Sequence, residues 1–536
     1  MRTPLGQAFG LSAGERGQEP AALFSQWPPA FSVFGIALLV RTLALPLAAF
    51  DDADAATRIW IGWSWLEHPT FMPSTVWGPL HFYLIGLMLR AWPDPVWAPA
   101  VLHVIIGALV APVVYQLTLE IFGWGRAALL TGLAFALYPA AVASSLFALS
   151  ETPFMLFLAL GLLFLVRAHR PTGTVRDAIL AGIAIGLSSM VRFESWLLLP
   201  FLTLPLIRRP KLLTAFLVPA LVHPVIWMIA SAVVSHDPLH SFTWASHWER
   251  DVNGRAQLVS LAWSARQIWN FLRATQAGLS PPLCLLIAFG VIWCLWRHRA
   301  QAIWLVPPLM LLGMLVGAAA RGSLAVKWRY TVTLGMMFFP FAACSFRAMG
   351  SEGWSRRRLA GATVALLAGI SVFTIEPLWR AIPHGEAVLA RTRMTPSFPD
   401  FPEARDVLSL VNRGQTPGHE ALLSDFYGWQ PTFYVGLHTK LHPDHIFIVY
   451  GAPNESINVA SIESFLARNR QGVLLTADQG RLGSLVQSEG DHTVRIGGAR
   501  LRLESAGEVR WPFSNNTSPV VVHAARYAVL GSSLPP

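Results

Sequence analysis

The chain has 536 residues, of which 54% are hydrophobic and only 13% are charged, and its mean hydropathy is +0.47. Soluble domains carry about 25% charged residues, so this composition excludes a disordered chain, a disulfide scaffold and an ordinary soluble enzyme. The formal net charge of +10 would suggest nucleic acid as the partner of a soluble protein. In so apolar a chain, the charge must first be compared with the topology of membrane helices.

Eleven apolar segments predict transmembrane helices, because a span needs about 20 mostly apolar residues. The clearest segments are 30–50, 97–118, 127–148, 212–234, 300–320 and 359–380. The shorter or interrupted segments are 152–166, 177–191, 193–207, 281–296 and 330–346. Segment 79–92 is apolar but too short to be counted. The first segment is not predicted to be a cleaved signal peptide, because it starts late and further spans follow.

The distribution of Arg and Lys predicts the orientation of these spans. If residues 1–29 form a cytoplasmic tail, the short loops on the same side total 38 residues and carry 13 basic ones. The loops on the opposite side total 109 residues and carry 10 basic and 10 acidic ones. The positive-inside rule therefore explains most of the basic excess as an insertion signal, and we predict no nucleic-acid partner.

The predicted transmembrane domain covers 30–380, and the composition changes at about residue 381. Residues 381–536 predict a soluble α/β domain, which eleven spans place outside the cytoplasm. Its predicted strands are 421–425, 445–450, 472–477 and 519–524. Its predicted helices are 402–413 and 460–470. The three cysteines, Cys284, Cys294 and Cys344, lie in apolar runs without metal-ligand spacing, which favours core packing.

The first extracytoplasmic loop, 51–96, carries the most informative pattern. Asp51, Asp52 and Asp54 directly follow the first span, and an aromatic segment with three tryptophans between 60 and 65 comes next. That segment suits a helix lying in the headgroup plane rather than a span. Such a helix would hold the acidic side chains against a cavity at the outer membrane face.

Together with the turn Trp77-Gly78-Pro79-Leu80-His81, this loop resembles the membrane-embedded GT-C glycosyltransferases. The resemblance is to the glycosyltransferase 39 type, which includes protein O-mannosyltransferases and lipid A aminoarabinose transferases. Three later stretches agree, namely 149–153 around Glu151, 186–192 ending at Arg192, and 327–330 with its Arg-Tyr pair. The resemblance covers about residues 30–346 and does not extend to the tail at 381–536.

The resemblance implies an integral membrane enzyme that transfers a hexosyl or pentosyl group from a polyprenyl-phosphate donor. The acceptor would be a protein, a lipid or a glycan, and the reaction would occur at the extracytoplasmic face of a cell membrane, here one of bacterial type. Transfer needs a base for the acceptor hydroxyl, and a carboxylate is a suitable one. Asp51 and Asp52 are equal candidates for this base, with Asp54 behind them.

Arginine suits the departing phosphate because it donates several hydrogen bonds from a fixed positive charge. Arg329, Arg192 and Lys327 are the predicted phosphate ligands, because they lie on the outer side against the positive-inside bias. Snorkelling to lipid headgroups is the alternative for each. The predicted sugar or acceptor contacts are Asp54, Trp77, His81, Glu151, His236 and Asp237.

Three further points remain open at this level. His236 and His240 have the i,i+4 spacing of a metal site, but Pro238 argues against a regular helix there, so we predict no metal site and leave a divalent cation open. Arg41 lies inside the first span, where a buried carbonyl or acid is the expected partner. A secondary transporter or lipid flippase, and a binding protein without transferase activity, are the alternative functions.

Overall fold

The structure is a computed structural model, and the statements below concern the residues that it describes. These are 27–45, 53–146, 148–247, 260–324, 326, 328–351, 361, 364–372, 402–414, 421–425, 435–437, 439, 441–449, 457–477, 480, 482, 485–490, 492–511 and 520–532. Three residues of the predicted site, Asp51, Asp52 and Lys327, lie outside them.

The described residues between Trp27 and Ser351 form a helical domain. Its helices are α1 Trp27–Ala44, α2 Ala53–Glu67, α3 Leu80–Ala91, α4 Trp97–Phe122, α5 Gly125–Ala136, α6 Pro139–Leu146, α7 Glu151–His169, α8 Val175–Val191, α9 Glu194–Leu202, α10 Pro210–Ser235, α11 His240–His247, α12 Leu261–Leu279, α13 Pro281–Arg297, α14 Val306–Ala320, α15 Arg329–Phe338 and α16 Ala342–Ser351. The predicted aromatic helix after the first span is α2, and a further helical stretch lies at 364–372.

Five helices of the described part are long and apolar enough to cross a membrane, namely Trp97–Phe122, Glu151–His169, Pro210–Ser235, Gln301–Ala320 and Arg329–Met349. The number rises to seven if the bent pairs α5–α6 and α12–α13 each form one span. Pro29–Ala44, Leu80–Ala91 and Glu194–Leu206 are shorter apolar helices. The chain is therefore a multi-helical membrane protein, and the count of about eleven spans stays a prediction. The stretch 79–92, omitted as too short, is helical.

Local sequence explains both bends. The α5–α6 pair bends by 49° next to Pro139, and α12–α13 bends by 103° at Ser280. Ser280 has φ = 75°, and Pro281 and Pro282 follow it. A proline cannot donate a backbone hydrogen bond to the preceding turn, so each helix restarts at the proline in a new direction.

Arg41 is fully buried inside α1 and has a structural environment, as expected from the sequence. Its Nη1 donates to the carbonyl oxygens of Ala37 at 3.1 Å and Ala136 at 3.3 Å. Its Nε donates to the hydroxyl of Ser145 at 3.1 Å. Gly107 leaves room for this arrangement, because a Cβ there would lie 2.0 Å from Ser145 Oγ. These bonds tie α1 to α5 and α6.

The described residues after 401 form an α/β domain, as predicted, in which seven strands make one sheet ordered β2-β1-β3-β7-β6-β5-β4. Its elements are α17 Pro402–Gly414, β1 Ala421–Asp425, β2 Ile446–Ile448, α18 Val459–Arg468, β3 Gln471–Ala477, β4 Val486–Gly490, β5 Thr493–Ile496, β6 Ala499–Trp511 and β7 Val520–Ser532. Strand β1 pairs in parallel with β2 and β3, and the remaining pairs are antiparallel. The four predicted strands are confirmed, while β4, β5 and β6 were not predicted.

The two faces of this sheet are buried by different partners. Leu423, Leu474 and Tyr527 pack with α18 on one face. On the other face, Leu422 and Leu475 share a core with α17 and with α2 and α3 of the helical domain. Alternate residues of a strand point to opposite faces, so the neighbours Leu422 and Leu423 divide between the two cores. The domain is thereby anchored on α2, the helix that carries Asp54.

Candidate active site

The ends of five helices meet around one cluster of charged side chains. Asp54, Glu151 and Glu194 each lie in the first turn of a helix, α2, α7 and α9 respectively. Arg329 is the first residue of α15, and Arg192 caps the C-terminal end of α8. Four helix N-termini therefore point their free N–H groups and positive dipole ends towards the cluster. This arrangement favours anionic groups, both the three carboxylates and an anionic ligand.

Arg329 pairs with the acidic loop through Asp54. Its Nη2 lies 2.5 Å from Asp54 Oδ2 and 3.1 Å from the hydroxyl of Tyr330. The Arg329 side chain is only 8% exposed, whereas that of Asp54 is 24% exposed. The Arg329 guanidinium is thus buried, and the ion pair is open to solvent at its Asp54 end.

Arg192 lies between two carboxylates. Its Nη2 is 2.5 Å from Glu194 Oε1, and its Nη1 donates to Glu151 Oε1 and to Ser150 Oγ. The Glu151 side chain is 3% exposed. Glu194 and Glu151 are therefore both partners of Arg192. Two negative charges around one guanidinium fix its position.

Arg58 is a third guanidinium at the cluster that the sequence reasoning did not identify. It lies four residues after Asp54, on the same face of α2, and its guanidinium carbon is 4.4 Å from the ring centroid of Trp77. Burial lowers the pKa of Arg58 to about 10, opposed by the negative charges of Asp54 and Glu151. Its Nη1 is buried and has no hydrogen-bond partner among the residues that the structure describes.

The turn that carries Trp77 packs directly on the end of α8. A Cβ at Gly78 would lie 2.4 Å from the carbonyl oxygen of Met190 and 2.9 Å from that of Val191. Only glycine allows this approach of two backbones. Gly78 therefore fixes Trp77, and the Arg58 above it, relative to Arg192.

A narrow cavity of about 10 Å³ opens between these side chains. Its polar wall includes Arg192, Arg329 and Tyr330, while Phe154, Leu311 and Leu315 form an apolar wall. A second cavity of about 10 Å³ is lined by apolar side chains, including Leu162, Val166, Trp304, Pro308 and Met337. Both cavities lie against α7, the helix Gln301–Ala320 and α15. The same three helices thus border a charged cavity near one end and an apolar cavity further along.

The structure brings four of the predicted site residues together, namely Asp54, Glu151, Arg192 and Arg329, and places Trp77 beside them under Arg58. His81 lies next to this cluster, close enough for the charges of Arg58 and Arg192 to act on it. It is fully buried, with its Nε2 2.8 Å from His103 Nε2, and it does not line the charged cavity. Its role as a sugar contact stays a prediction without a direct contact to support it.

His236 and Asp237 serve the turn between α10 and α11. His236 ends α10 with φ = 56°, and the Pro238 argument against one regular helix is confirmed, because His240 starts a separate helix. Asp237 accepts hydrogen bonds from Thr243 Oγ1 at 2.6 Å and from the Leu239 amide at 2.8 Å, which lower its pKa. Neither residue lines the charged cavity.

Within the described ranges, no three His, Cys, Asp or Glu side chains are grouped so that they could hold a metal ion. Asp51 and Asp52, which directly precede α2, lie outside those ranges. The prediction that the protein has no metal site therefore stays a prediction, and a divalent cation stays open.

Comparison with known proteins agrees with this architecture. Residues 68–237 match the family model described as dolichyl-phosphate-mannose-protein mannosyltransferase. The fold is similar to that of ArnT from Cupriavidus metallidurans, solved bound to undecaprenyl phosphate and in the apo state. Each of these matches has a TM-score of 0.61 and 14% sequence identity, and covers 92% of this chain and 97% of ArnT.

An oligosaccharyltransferase from Archaeoglobus fulgidus also matches, with a TM-score of 0.46 and 14% identity over 83% of this chain and 69% of that one. A search of curated protein sequences finds no significant match. The resemblance to GT-C glycosyltransferases drawn from the sequence is thus confirmed by the family model and by the fold. The ArnT similarity also extends over most of the chain, beyond the stretch at 30–346 that carried the resemblance.

Proposed function

We propose that this protein is a membrane glycosyltransferase that moves a sugar from a polyprenyl-phosphate donor to an acceptor. The observation that carries the proposal is the charged cavity, in which Arg192 and Arg329 face an apolar wall formed by Phe154, Leu311 and Leu315. A lipid phosphate is the ligand that needs both surfaces at once.

The phosphate would bind where Arg329 and Arg192 meet the helix N-termini. Arginine donates to phosphate oxygens in a planar fork, and N-terminal N–H groups add fixed partial positive charge. Arg329 pairs with Asp54, and a phosphate oxygen would join this pair as a further anionic partner of the guanidinium. Arg192, held by Glu151 and Glu194, supplies a positive charge that two carboxylates keep in place, and Lys327 remains a proposed third ligand.

The prenyl chain would follow the groove beside α7, Gln301–Ala320 and α15. From Leu315 beside the charged cavity to Trp304 beside the apolar one, the helix advances eleven residues, roughly 16 Å at 1.5 Å per residue. The lining changes from arginine and tyrosine to leucine, valine, proline and methionine over this distance. A phosphate-bearing lipid thus keeps its tail among apolar side chains while its head remains in the polar cavity.

Transfer then requires a base for the acceptor, and we propose Asp51 or Asp52. The carboxylate takes the proton of the acceptor hydroxyl while the acceptor oxygen bonds to the anomeric carbon of the sugar. The bond from that carbon to the phosphate oxygen breaks, and its electron pair stays on the phosphate, where the arginines stabilise the added negative charge. Asp54 and Glu151 would orient the arginines and contact the sugar or acceptor, together with Trp77. No step of this scheme uses a metal ion.

The similarity to ArnT and to the mannosyltransferase model supports this proposal, because ArnT has been solved with undecaprenyl phosphate bound. We further propose that the spans place residues 1–29 in the cytoplasm and residues 381–536 outside it, with catalysis at the extracytoplasmic face of a bacterial cell membrane. The donated group would be a hexosyl or pentosyl sugar, and the acceptor a protein, lipid or glycan.

The test is retention of undecaprenyl phosphate by the purified protein in nanodiscs, measured by native mass spectrometry. Wild type should retain one lipid phosphate and discriminate against the uncharged polyprenol. Arg329→Gln should weaken binding by about 10–100-fold, the effect of about 1.5–3 kcal/mol for a charge-assisted hydrogen bond. Arg297→Gln, which removes a guanidinium stacked on Trp296 away from the cavity, is the matched control. Equal retention by both variants would contradict the phosphate site.

A further inference from the structure

A third and larger cavity lies where α2 faces the C-terminal domain. It has a volume of about 500 Å³ and is open on one side. Trp60 and Ser64 line it from one face of α2, and His68, directly after the helix, continues the same spacing of four residues. Opposite them lie strand β2, which is the edge strand of the sheet, and the N-terminal end of α18.

The polar groups of this α2–sheet cavity are almost all neutral. The titratable side chains among the described lining residues, His68 and Asp444, contact each other at 3.2 Å. The other polar side chains described there include the hydroxyls of Ser64 and Ser461 and the amide of Asn458. Because the described lining has no Lys or Arg, it is unsuited to a phosphate or nucleotide.

The same lining suits a sugar. The indole of Trp60 offers a flat apolar surface, and the buried Ile446 and Ile448 add an apolar wall. Asn458 Oδ1 already accepts from the Ser461 amide at 3.1 Å, where it caps α18, so its NH₂ group is directed to other acceptors. An aromatic platform with neutral hydroxyl and amide groups matches a pyranose, which has an apolar C–H face and a rim of hydroxyls.

The cavity is also placed for a second substrate. Trp60 follows Asp54 by six residues on the same helix, an advance of about 9 Å. Asp54 in turn pairs with Arg329 in the charged cavity. The six residues also turn the helix by about 240°, so Asp54 and Trp60 lie on different faces of α2. An elongated acceptor in the α2–sheet cavity would have to extend around this helix to bring one hydroxyl to the reacting centre.

We propose that the α2–sheet cavity binds a neutral saccharide of the acceptor, so that the acceptor is a glycan or glycolipid. This inference rests on the proposed function for its meaning, since only a transferase needs an acceptor. The binding itself is a separate property, and it can be measured without donor.

The experiment is saturation-transfer NMR on the full-length protein in nanodiscs, with a panel of soluble hexasaccharides of glucose, mannose and N-acetylglucosamine as probes. At least one probe should receive saturation from wild type. Ser64→Trp, which fills the cavity, and Trp60→Leu, which removes the platform, should each lower the signal about tenfold. Trp269→Leu, at a tryptophan of α12 that is 61% exposed, is the matched control and should not.

The proposal would be overturned if no probe received saturation from the wild-type protein. It would also be overturned if the saturation signal persisted in Ser64→Trp. A third result would overturn the proposal as well, namely that the wild type binds a serine- and threonine-rich peptide but no saccharide, and that Ser64→Trp abolishes the peptide binding. Undecaprenyl-phosphate retention, measured on the same preparations, separates the two claims. If wild type binds a saccharide but no lipid phosphate, the proposed transferase function fails while the saccharide site stands.

Discussion

Replacing Gly78 with alanine perturbs the contact that holds the Trp77 turn on α8. The added Cβ would lie 2.4 Å from the Met190 carbonyl oxygen, whereas real Cβ contacts stay above 3.0 Å. The turn or the helix end must therefore retreat by at least 3.0 − 2.4 = 0.6 Å. All three contacts given for this Cβ lie below 3.0 Å and are to backbone atoms, so rotation of a side chain does not relieve them. We expect a loss of about 1–3 kcal/mol in the free energy of unfolding.

The effect on activity should exceed the effect on stability. The turn carries Trp77 beneath Arg58, and the helix end carries Arg192, so the retreat displaces two of the three arginines relative to each other. Misplacement by about 1 Å can cost about 10²-fold in rate, and we expect transfer to fall by about 10- to 100-fold. The assay is sugar release from a polyprenyl-phosphate donor, with thermal unfolding measured in parallel.

Gly125→Ala is the matched control, because a Cβ at Gly125 meets nothing within 4 Å. It should leave both unfolding and transfer unchanged. A Gly78→Ala protein that is as stable and as active as Gly125→Ala would refute the reasoning, since the close backbone approach would then have no consequence for the site.

Three further predictions concern the base, the lipid groove and the buried arginine. Among Asp51→Asn and Asp52→Asn, made separately, one should lower transfer about 10²–10⁴-fold; full activity in both, with correct insertion, would show that neither is the base. Leu315→Trp should raise the KM for the lipid donor in a titration of initial rates, whereas Leu309→Trp, 47% exposed on the same helix, should not; equal values count against the groove. Arg41→Ala should cost about 2–5 kcal/mol in chemical unfolding, and an unchanged midpoint would contradict its structural role.

Much of the fold could be predicted because the relevant signals are local. Long apolar runs predict helices, and the aromatic segment after the first span is the helix α2. In the C-terminal domain, β1 and β3 are fully or largely buried and read as apolar runs. Strand β6 was missed because charges such as Arg500, Arg502 and Glu504 alternate with apolar residues there. That period of two was itself a strand signal.

The site was predicted only as far as sequence position allows. Glu151, Arg192 and Arg329 stand at helix ends, so a common location could be inferred from sidedness. Their actual pairing, such as Arg329 with Asp54 across 275 residues, depends on tertiary packing that no local pattern encodes. His81 shows the same limit, because its partner His103 lies one helix further along the chain.

Arg58 was overlooked for a different reason. In an aromatic helix, an arginine is expected to face the lipid headgroups. Its i+4 spacing from Asp54 nevertheless indicates that both side chains lie on the same face of the helix. Only the packing of the Gly78 turn on α8 shows that this face of α2 is buried against the cluster. The number of spans likewise depends on where the membrane lies. For the described residues, helix length and composition alone give between five and seven spans.

The most direct test of the central claim uses the purified protein in liposomes with a polyprenyl-phosphate sugar and a mixed pool of glycolipid and peptide acceptors. We predict release of free polyprenyl phosphate and appearance of a glycosylated acceptor, both lost in Arg329→Gln. Movement of solute or lipid across the vesicle membrane without consumption of the donor would contradict the account and favour a transporter or flippase.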